Sequence, residues 1–309
     1  MSSDSVSIII PCYRQAHFLG QTIESALAQD HRPTEVIVIN DGSDDDTEKV
    51  ARGFGDKIQY HWQPNAGLPA ARNKGISLAS GKYLLFLDSD DLLHPHAVKW
   101  LVDAAQNRED VLCVMGFTRF IKAPSLDGDG EHLPRDNGSL VHQLMVGNLA
   151  PPHACMCSRS LLTSVGGFDV QLKSCEDWDA WLRLVQAGAQ IVPVRRVGAF
   201  YRQHTESMSR NLLRMARCEA EVIRRTLQRT AGDPDQDISK MLRKQLARKL
   251  FDAGHALRAQ GDYGAALREY ADSIRSGGLN RRALTGILKL APHWMARRAR
   301  SADRHPVTS

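Results

Sequence analysis

Along the first two thirds of the chain, apolar residues arrive in short solid runs, and between the runs they recur at helical spacing. Tyr83–Leu87 is an unbroken apolar run with no polar face, which predicts a buried strand, and Val6–Ile10, Glu35–Ile39 and Ile58–Trp62 also read as strands. Pro11 is expected to stop the first strand, and Asn40-Asp41-Gly42-Ser43 to turn the chain after the second. Leu19, Ile23, Ala26 and Leu27 predict a helix between them. Asp44 to Thr47 supply acid and cap residues for the next helix, and Asn65-Ala66-Gly67-Leu68-Pro69 leads into a third that ends before Gly81. Further on, His94-Pro95 opens a helix to about Asn107, and Val111–Ile121 and Gln190–Phe200 read as strands. Glu176-Asp177-Trp178-Asp179 starts a helix with Trp181, Leu182, Leu184 and Val185 on its apolar side. Lys122 to Ser139 reads as a loop, and Leu140 to Arg159 has no assignable period. Strands alternating with helices imply an α/β fold with a mostly parallel sheet, over residues 1–212.

From about Leu212 the texture becomes helical, rich in Arg, Ala, Leu and Glu, with a break at Asp233-Pro234-Asp235. Residues 213–309 therefore form an all-α C-terminal region. Within it, residues 244–276 carry one tetratricopeptide-like pattern, including Ala247, Phe251, Gly254, Gly261-Asp262-Tyr263 and Tyr270. A single repeat does not make a stable solenoid, so this is expected to be a docked helical hairpin.

The chemistry concentrates where the Tyr83–Leu87 run breaks into Asp88-Ser89-Asp90-Asp91. Like charges this close repel, and a divalent cation with hard oxygen ligands, Mn²⁺ or Mg²⁺, relieves the repulsion. The alternative is a cap for the helix near Pro95, a task that needs only one aspartate. The edge beyond the strand ends is also where open α/β sheets bind ligands.

Charge divides the chain. Residues 1–212 carry 20 basic and 25 acidic side chains, whereas residues 213–309 carry 20 and 10. The asymmetry suggests two domains with different partners. Six cysteines fit a reducing compartment, and Cys155-Met156-Cys157 has the wrong spacing for a zinc or thioredoxin-type pair. No apolar run is long enough to span a bilayer, and Met1-Ser2-Ser3-Asp4-Ser5 lacks a basic leader, so the expected location is cytoplasmic.

Taken together, Val6 to Pro11, Asp41-Gly42-Ser43, Asn65-Ala66-Gly67 with Ala71-Arg72-Asn73, Asp88-Ser89-Asp90-Asp91, Glu176-Asp177-Trp178, and His204 with Ser207-Met208-Ser209 occur in a familiar order. In that order they resemble glycosyltransferase family 2, the inverting nucleotide-sugar enzymes with the GT-A fold, over residues 5 to about 211. The resemblance implies a UDP- or dTDP-sugar donor, with Pro11, Tyr13 and Asp41 at the base and Arg72 at the base or phosphates. Asp88 and Ser89 would also touch the nucleotide. Asp90 would hold the cation, joined by Asp88 and by His204, which with Arg202 would also meet the diphosphate. Asp177 would be the general base, and Glu176 and Trp178 would line the acceptor or sugar pocket. Each has a plainer reading: Asp41 as a cap, Arg72 as a surface residue, Glu176 and Asp177 as acids favoured at a helix start.

Position 13 is Tyr where the family often has Asn. No Gln-x-x-Arg-Trp motif follows His204, which favours single-sugar transfer over processive synthesis. The expected acceptor is a hydroxyl of a glycan, a lipid-linked sugar or a protein in cell-surface polysaccharide biosynthesis. The alternatives are a nucleotide-sugar-binding protein without activity, and a transferase acting on a small-molecule acceptor. In the C-terminal region, Arg281-Arg282, Lys289, Arg297-Arg298 and Arg300 alternate with Leu284, Ile287, Leu288, Leu290, Trp294 and Met295. That pattern suits either a peripheral contact with the inner membrane face or an ordinary solvated helix. A nucleic-acid partner is not expected, because no binding module or aromatic platform is present.

Overall fold

The computed structural model describes residues 4–32, 34–121, 131–134, 140–205, 207, 210–231, 236–278 and 281–290. Contacts divide the chain into Met1–Ser207 and Met208–Ser309.

The first unit is built on a mixed eight-stranded sheet among the described residues. In chain order its elements are β1 (Val6–Cys12), α1 (Ala16–Leu27), β2 (Thr34–Asp41), α2 (Thr47–Arg52), β3 (Gln59–Gln63), α3 (Leu68–Leu78), β4 (Tyr83–Phe86), β5 (Leu92–Leu93), α4 (Ala97–Ala105), β6 (Val111–Phe120), α5 (Leu140–Val146), β7 (Cys155–Ser158), α6 (Arg159–Ser164), α7 (Glu176–Gln186) and β8 (Gln190–Arg202). The strand order is β3-β2-β1-β4-β7-β6-β8-β5. β3, β2, β1 and β4 run parallel, β7 is inserted antiparallel between β4 and β6, and β6 pairs parallel with β8.

Parallel pairing brings the C-terminal ends of β1, β2 and β4 to one edge. Tyr13, Asp41 and the Asp88–Asp91 turn therefore lie along that edge. Burial explains the rigidity behind it: β1 is buried along its whole length, and Tyr83 to Leu87 are fully inaccessible. α3 lies close on β1 because Gly75 has no side chain. A Cβ there would meet Ile9 at 2.3 Å. That approach sets the height at which Arg72 projects from the helix.

Several local expectations shift. The first strand continues through Pro11, which pairs with Ile39 of β2. On its other side β1 has already run past the end of its register with β4, so the missing N–H leaves no hole there. The fourth helix begins at Ala97, behind the two-residue β5, and its capping residue is His96 with no side-chain cap. Asp90 and Asp91 therefore do not cap it. The unassigned stretch contains α5 and β7, whose short lengths carry no readable period.

The second unit consists of α8 (Leu212–Arg229), α9 (Gln236–Ala259), α10 (Tyr263–Gly277) and α11 (Arg281–Leu288). A three-residue turn at Gln260-Gly261-Asp262 joins α9 to α10, and the Asp262 side chain caps α10 through the Ala265 N–H at 3.0 Å. Tyr270 is fully buried beside Ala266, Leu257, Ala283 and Leu290. No helix of the described residues is long and apolar enough to cross a membrane. The basic tail beyond Leu290, and the Asp233–Asp235 break, lie outside the described residues.

Candidate active site

Two turns deliver carboxylates to the same edge of the sheet, one after β4 and one at the start of α7. The first is held from below by α1. The Thr22 hydroxyl reaches the carbonyl oxygens of Ser89 (2.8 Å) and Asp91 (3.0 Å). Gln15 receives the Ser89 hydroxyl and donates to Asp90 Oδ2 at 3.2 Å. Arg202, at the end of β8, donates its backbone N–H to Asp91 Oδ1 and its Nε to the Asp90 carbonyl, both at 2.6 Å.

Within this turn the three aspartates have different surroundings. Asp90 Oδ2 lies 2.7 Å from His204 Nε2, and both side chains keep about 15% of their surface open. Burial and the charge on Asp88 push the Asp90 pKa up, and His204 partly offsets them. Asp91 is sealed: burial, then Asp90 and Asp88, raise its pKa well above the ordinary value. Its Oδ2 is 3.1 Å from Nδ1 of His153, a fully buried imidazole that sequence reasoning missed. The two are near but misaligned, so Asp91 Oδ2 and both His153 nitrogens have no hydrogen-bond partner. Burial lowers the His153 pKa to about 4, leaving the ring neutral.

These groups fit a divalent cation in their donor chemistry: carboxylate oxygens with neutral imidazole nitrogen. Single atoms of Asp88, Asp91 and His153 fall within 4.8 Å of one another. Asp90 and His204 form the solvent-reaching alternative. A cation shared with an incoming ligand needs that access, so the Asp90–His204 side is the better candidate. Ser207 lies at the end of the same loop, its backbone N–H 3.3 Å from the His204 carbonyl. Met208 and Ser209 lie outside the described residues.

The second turn puts Glu176 and Asp177 in the first turn of α7, where the helix dipole favours negative charge. Cys175 before them sits in the left-handed region, at φ 61°. Both carboxylates are buried, and burial pushes both pKa values up against the pull of Arg72. Asp177 accepts from Asn148 Nδ2 at 2.7 Å and from the Trp178 N–H at 2.8 Å.

Arg72 joins the two turns. It is 1% exposed, donates Nη2 to Asp88 at 2.5 Å and Nη1 to Glu176, and lies over the Phe168 ring. Burial alone would lower its pKa; Asp88, Glu176 and Asp177 together overcome that and raise it. Beside it, Asn73 exchanges two hydrogen bonds with the Phe168 backbone, at 2.7 and 2.8 Å. That pair of hydrogen bonds fixes α3 to the turn preceding α7.

Several expected roles meet different surroundings. Arg72 is neither a surface residue nor open toward a nucleotide; both ends of its fork are occupied by carboxylates. Trp178 and Trp181 are each 1% exposed, and Trp178 donates its indole N–H to the Leu144 carbonyl at 2.6 Å. Trp178 thus anchors α5 and offers no ring face to a sugar. Asp41 is buried and accepts from the N–H groups of Ala66 and Gly67 and from Gln63, so it organises the turn before α3. Pro11 is buried in β1, whereas Tyr13 is exposed with the Arg14 guanidinium against its ring. Arg202 packs its guanidinium over Phe18 and Phe120 and reaches Gln21 at 2.9 Å.

Compared with known proteins, residues 7–161, half the chain, match the sequence profile described as Glycosyl transferase family 2. An uncharacterized glycosyltransferase of Rickettsia typhi is 32% identical over 199 residues, covering 60% of this chain and 60% of that protein. A chondroitin synthase of Pasteurella multocida is 30% identical over 187 residues, covering 59% of this chain and 19% of that protein. The match therefore spans less than two thirds of either relative. Among solved structures, S. aureus TarS 1–349 in complex with UDP-GlcNAc aligns with a TM-score of 0.66 at 18% identity, covering 97% of this chain and 88% of that one. A mannosyltransferase from Pyrobaculum calidifontis, in complex with GDP-Man and Mn²⁺, aligns with a TM-score of 0.59 at 17% identity over the same shares. At such identities the likeness is one of fold.

Proposed function

The chain belongs to glycosyl transferase family 2 and has its GT-A α/β fold, and from that premise we propose that it moves one sugar from a UDP- or dTDP-linked donor to a hydroxyl group, with inversion. The observation that carries the reading is the Arg72 bridge, which links Asp88 on the nucleotide side to Glu176, next to Asp177. A ligand-binding turn and a buried base candidate thus belong to one connected cluster.

In this reading the nucleotide lies along the strand-end edge past Pro11, Tyr13 and the Asp41-held turn, with Ser89 and Arg202 nearer the diphosphate. Asp90 and His204, with Asp88, would hold Mn²⁺ or Mg²⁺. When bound, the cation supplies positive charge to the diphosphate as it departs. Asp177 accepts the proton of the acceptor hydroxyl as its oxygen bonds to the anomeric carbon. The bond from that carbon to the diphosphate oxygen breaks, and its electron pair leaves with the nucleotide. Arg72 offsets part of the burial cost of the neighbouring Glu176, so that two bare carboxylates are not left side by side. Support for a nucleotide-sugar donor comes from the fold neighbours, which carry UDP-GlcNAc and GDP-Man.

The acceptor we expect belongs to a cell-surface glycan, a glycolipid or a protein. The setting would be cytoplasmic, with the basic C-terminal region meeting the inner membrane face and the α9–α10 hairpin meeting an acceptor or partner.

The test is a panel of nucleotide sugars with Mn²⁺ or Mg²⁺, read as donor binding and donor cleavage. The expected result is metal-dependent binding of one nucleotide class, weakened in Asp90→Ala. Metal-independent binding, or full turnover in Asp177→Asn, would overturn the mechanism.

A further inference from the structure

The positive charge of the second unit is partly matched from helix to helix. Arg217 of α8 reaches Glu269 of α10 at 3.1 Å, and Lys249 of α9 reaches Glu219 of α8 at 2.7 Å. At one place that matching stops. A cleft of about 360 Å³ opens among the three helices, with Arg224 from α8, Arg243 from α9, and Asp272, Arg275 and Ser276 from α10 around a floor that includes Leu246. Its size falls within the ordinary range for small-ligand sites, about 300–1,000 Å³. The backbone beneath it is clamped. Ser273 donates its hydroxyl to the Ala247 carbonyl at 2.6 Å. A Cβ on Gly277 would meet the Ala247 Cβ at 2.5 Å and the Arg243 carbonyl at 3.4 Å, so α10 lies close on α9 where the arginines leave their helices.

We propose that this cleft binds a phosphate group carrying two negative charges, either free in solution or at the head of a lipid. Nothing in this site depends on the chemistry proposed for the first unit. Three observations carry it. First, three arginines from three helices meet one aspartate, which leaves the lining with an excess of two positive charges. Second, the acids at hand do not cancel that excess. Asp272 serves Arg275 on its own helix, accepting from Nε at 3.1 Å. Glu221 lies 2.9 Å from Arg225 but 3.5 Å from Arg224, at the limit of hydrogen-bond reach. The Arg243 side chain has no hydrogen bond or ion pair among the described residues. Third, the donors come from several directions around one volume. A carboxylate brings one charge and two oxygens, whereas a phosphate dianion brings two charges and a tetrahedron of oxygens that guanidinium groups can share. The Ser276 hydroxyl adds a neutral partner for the ester or protonated oxygen.

Calorimetry tests this with the full chain, free of divalent cation and at constant ionic strength, titrated with inorganic phosphate and separately with acetate. The expected result is saturable phosphate binding, weakened about tenfold or more in Arg243→Gln. Lys244→Gln removes the same charge from α9 but outside the cleft, and should leave the affinity nearly unchanged. Arg243 is exposed, so its replacement should not move the unfolding midpoint. A second arm uses phosphatidylcholine vesicles carrying phosphatidic acid or phosphatidylglycerol, matched in surface charge. Preference for phosphatidic acid, lost in Arg243→Gln, would assign the site to a lipid headgroup; phosphate binding without that preference would assign it to a soluble phosphate. Phosphate held in the first unit would be indifferent to Arg243→Gln, and that result would overturn the proposal. Equal loss in Arg243→Gln and Lys244→Gln, acetate bound as tightly as phosphate, or no saturable binding of phosphate in either form would overturn it too.

Discussion

The carboxylates after β4 and those opening α7 face the same difficulty and meet it differently. Asp90, Asp91, Glu176 and Asp177 are all pushed toward the protonated form by burial. At α7 the counter-charge is built in, although burial still outweighs it: the Arg72 guanidinium, itself 1% exposed, is bound to Glu176 on one arm. In the β4 turn the relief is partial. Asp88 has the other arm of Arg72, Asp90 has an imidazole, and Asp91 has one backbone N–H and a misaligned histidine. A built-in cation makes a fixed base site, whereas a shortfall of positive charge makes a site for an exchangeable one. The same residue type thus reads as machinery or as receptor according to where its counter-charge comes from.

Ways of breaking that contrast can be ranked by size. Asp177→Asn removes the proton acceptor while leaving its shape, and transfer should fall about 10²- to 10⁴-fold with donor binding retained, measured by calorimetry alongside turnover. Arg72→Met leaves Asp88 and Glu176 buried without their cation, and should destabilise the first unit by about 3–5 kcal/mol in urea unfolding. His204→Gln touches only the exchangeable side. Divalent-cation affinity should drop about 10- to 100-fold, with the unfolding midpoint unchanged in metal-free buffer. Against these, Glu48→Gln breaks the exposed pair with Arg52 and should shift stability by less than about 0.5 kcal/mol.

A pH profile sharpens the comparison further. Asp177 works ionised, and its folded pKa is raised above the ordinary 3.8. Activity should therefore climb with pH, its acid limb lying above that value. Removing the positive charge of Arg72 should move the limb to still higher pH. A limb at or below 3.8 would mean that Asp177 is not the titrating base.

Much of this was legible in the chain. The solid apolar runs gave most strands of the sheet, and the three clustered aspartates marked the edge that matters. What stayed hidden has physical causes. Cys155–Ser158 is too short to show a period, so the antiparallel insertion of β7 could not be read, and with it went His153 at the strand's entry. Arg72 looked like any arginine on a helix, because its burial depends on partners 16 and 104 residues away. Trp178 was misread for a related reason. Proximity to an acidic pair suggested a sugar platform, but the helical turn points the indole inward, where the Leu144 carbonyl takes its N–H. Asn148 gave no signal at all: a lone amide in an irregular stretch becomes meaningful only once α5 is laid beside α7.

The double hydrogen bond between Asn73 and Phe168 joins positions 95 residues apart. Contacts across such sequence distances close large loops and form late, after local helices and neighbouring strands. The bond also lies beside Arg72, whose fork has a partner on each side of the β7 insertion. A chain that has folded only β1 to β4 would already hold Asp88 at its strand end, yet it would have no Glu176 to pair with Arg72. The cluster is thus a late product of assembly, and its presence marks the completion of the whole first unit.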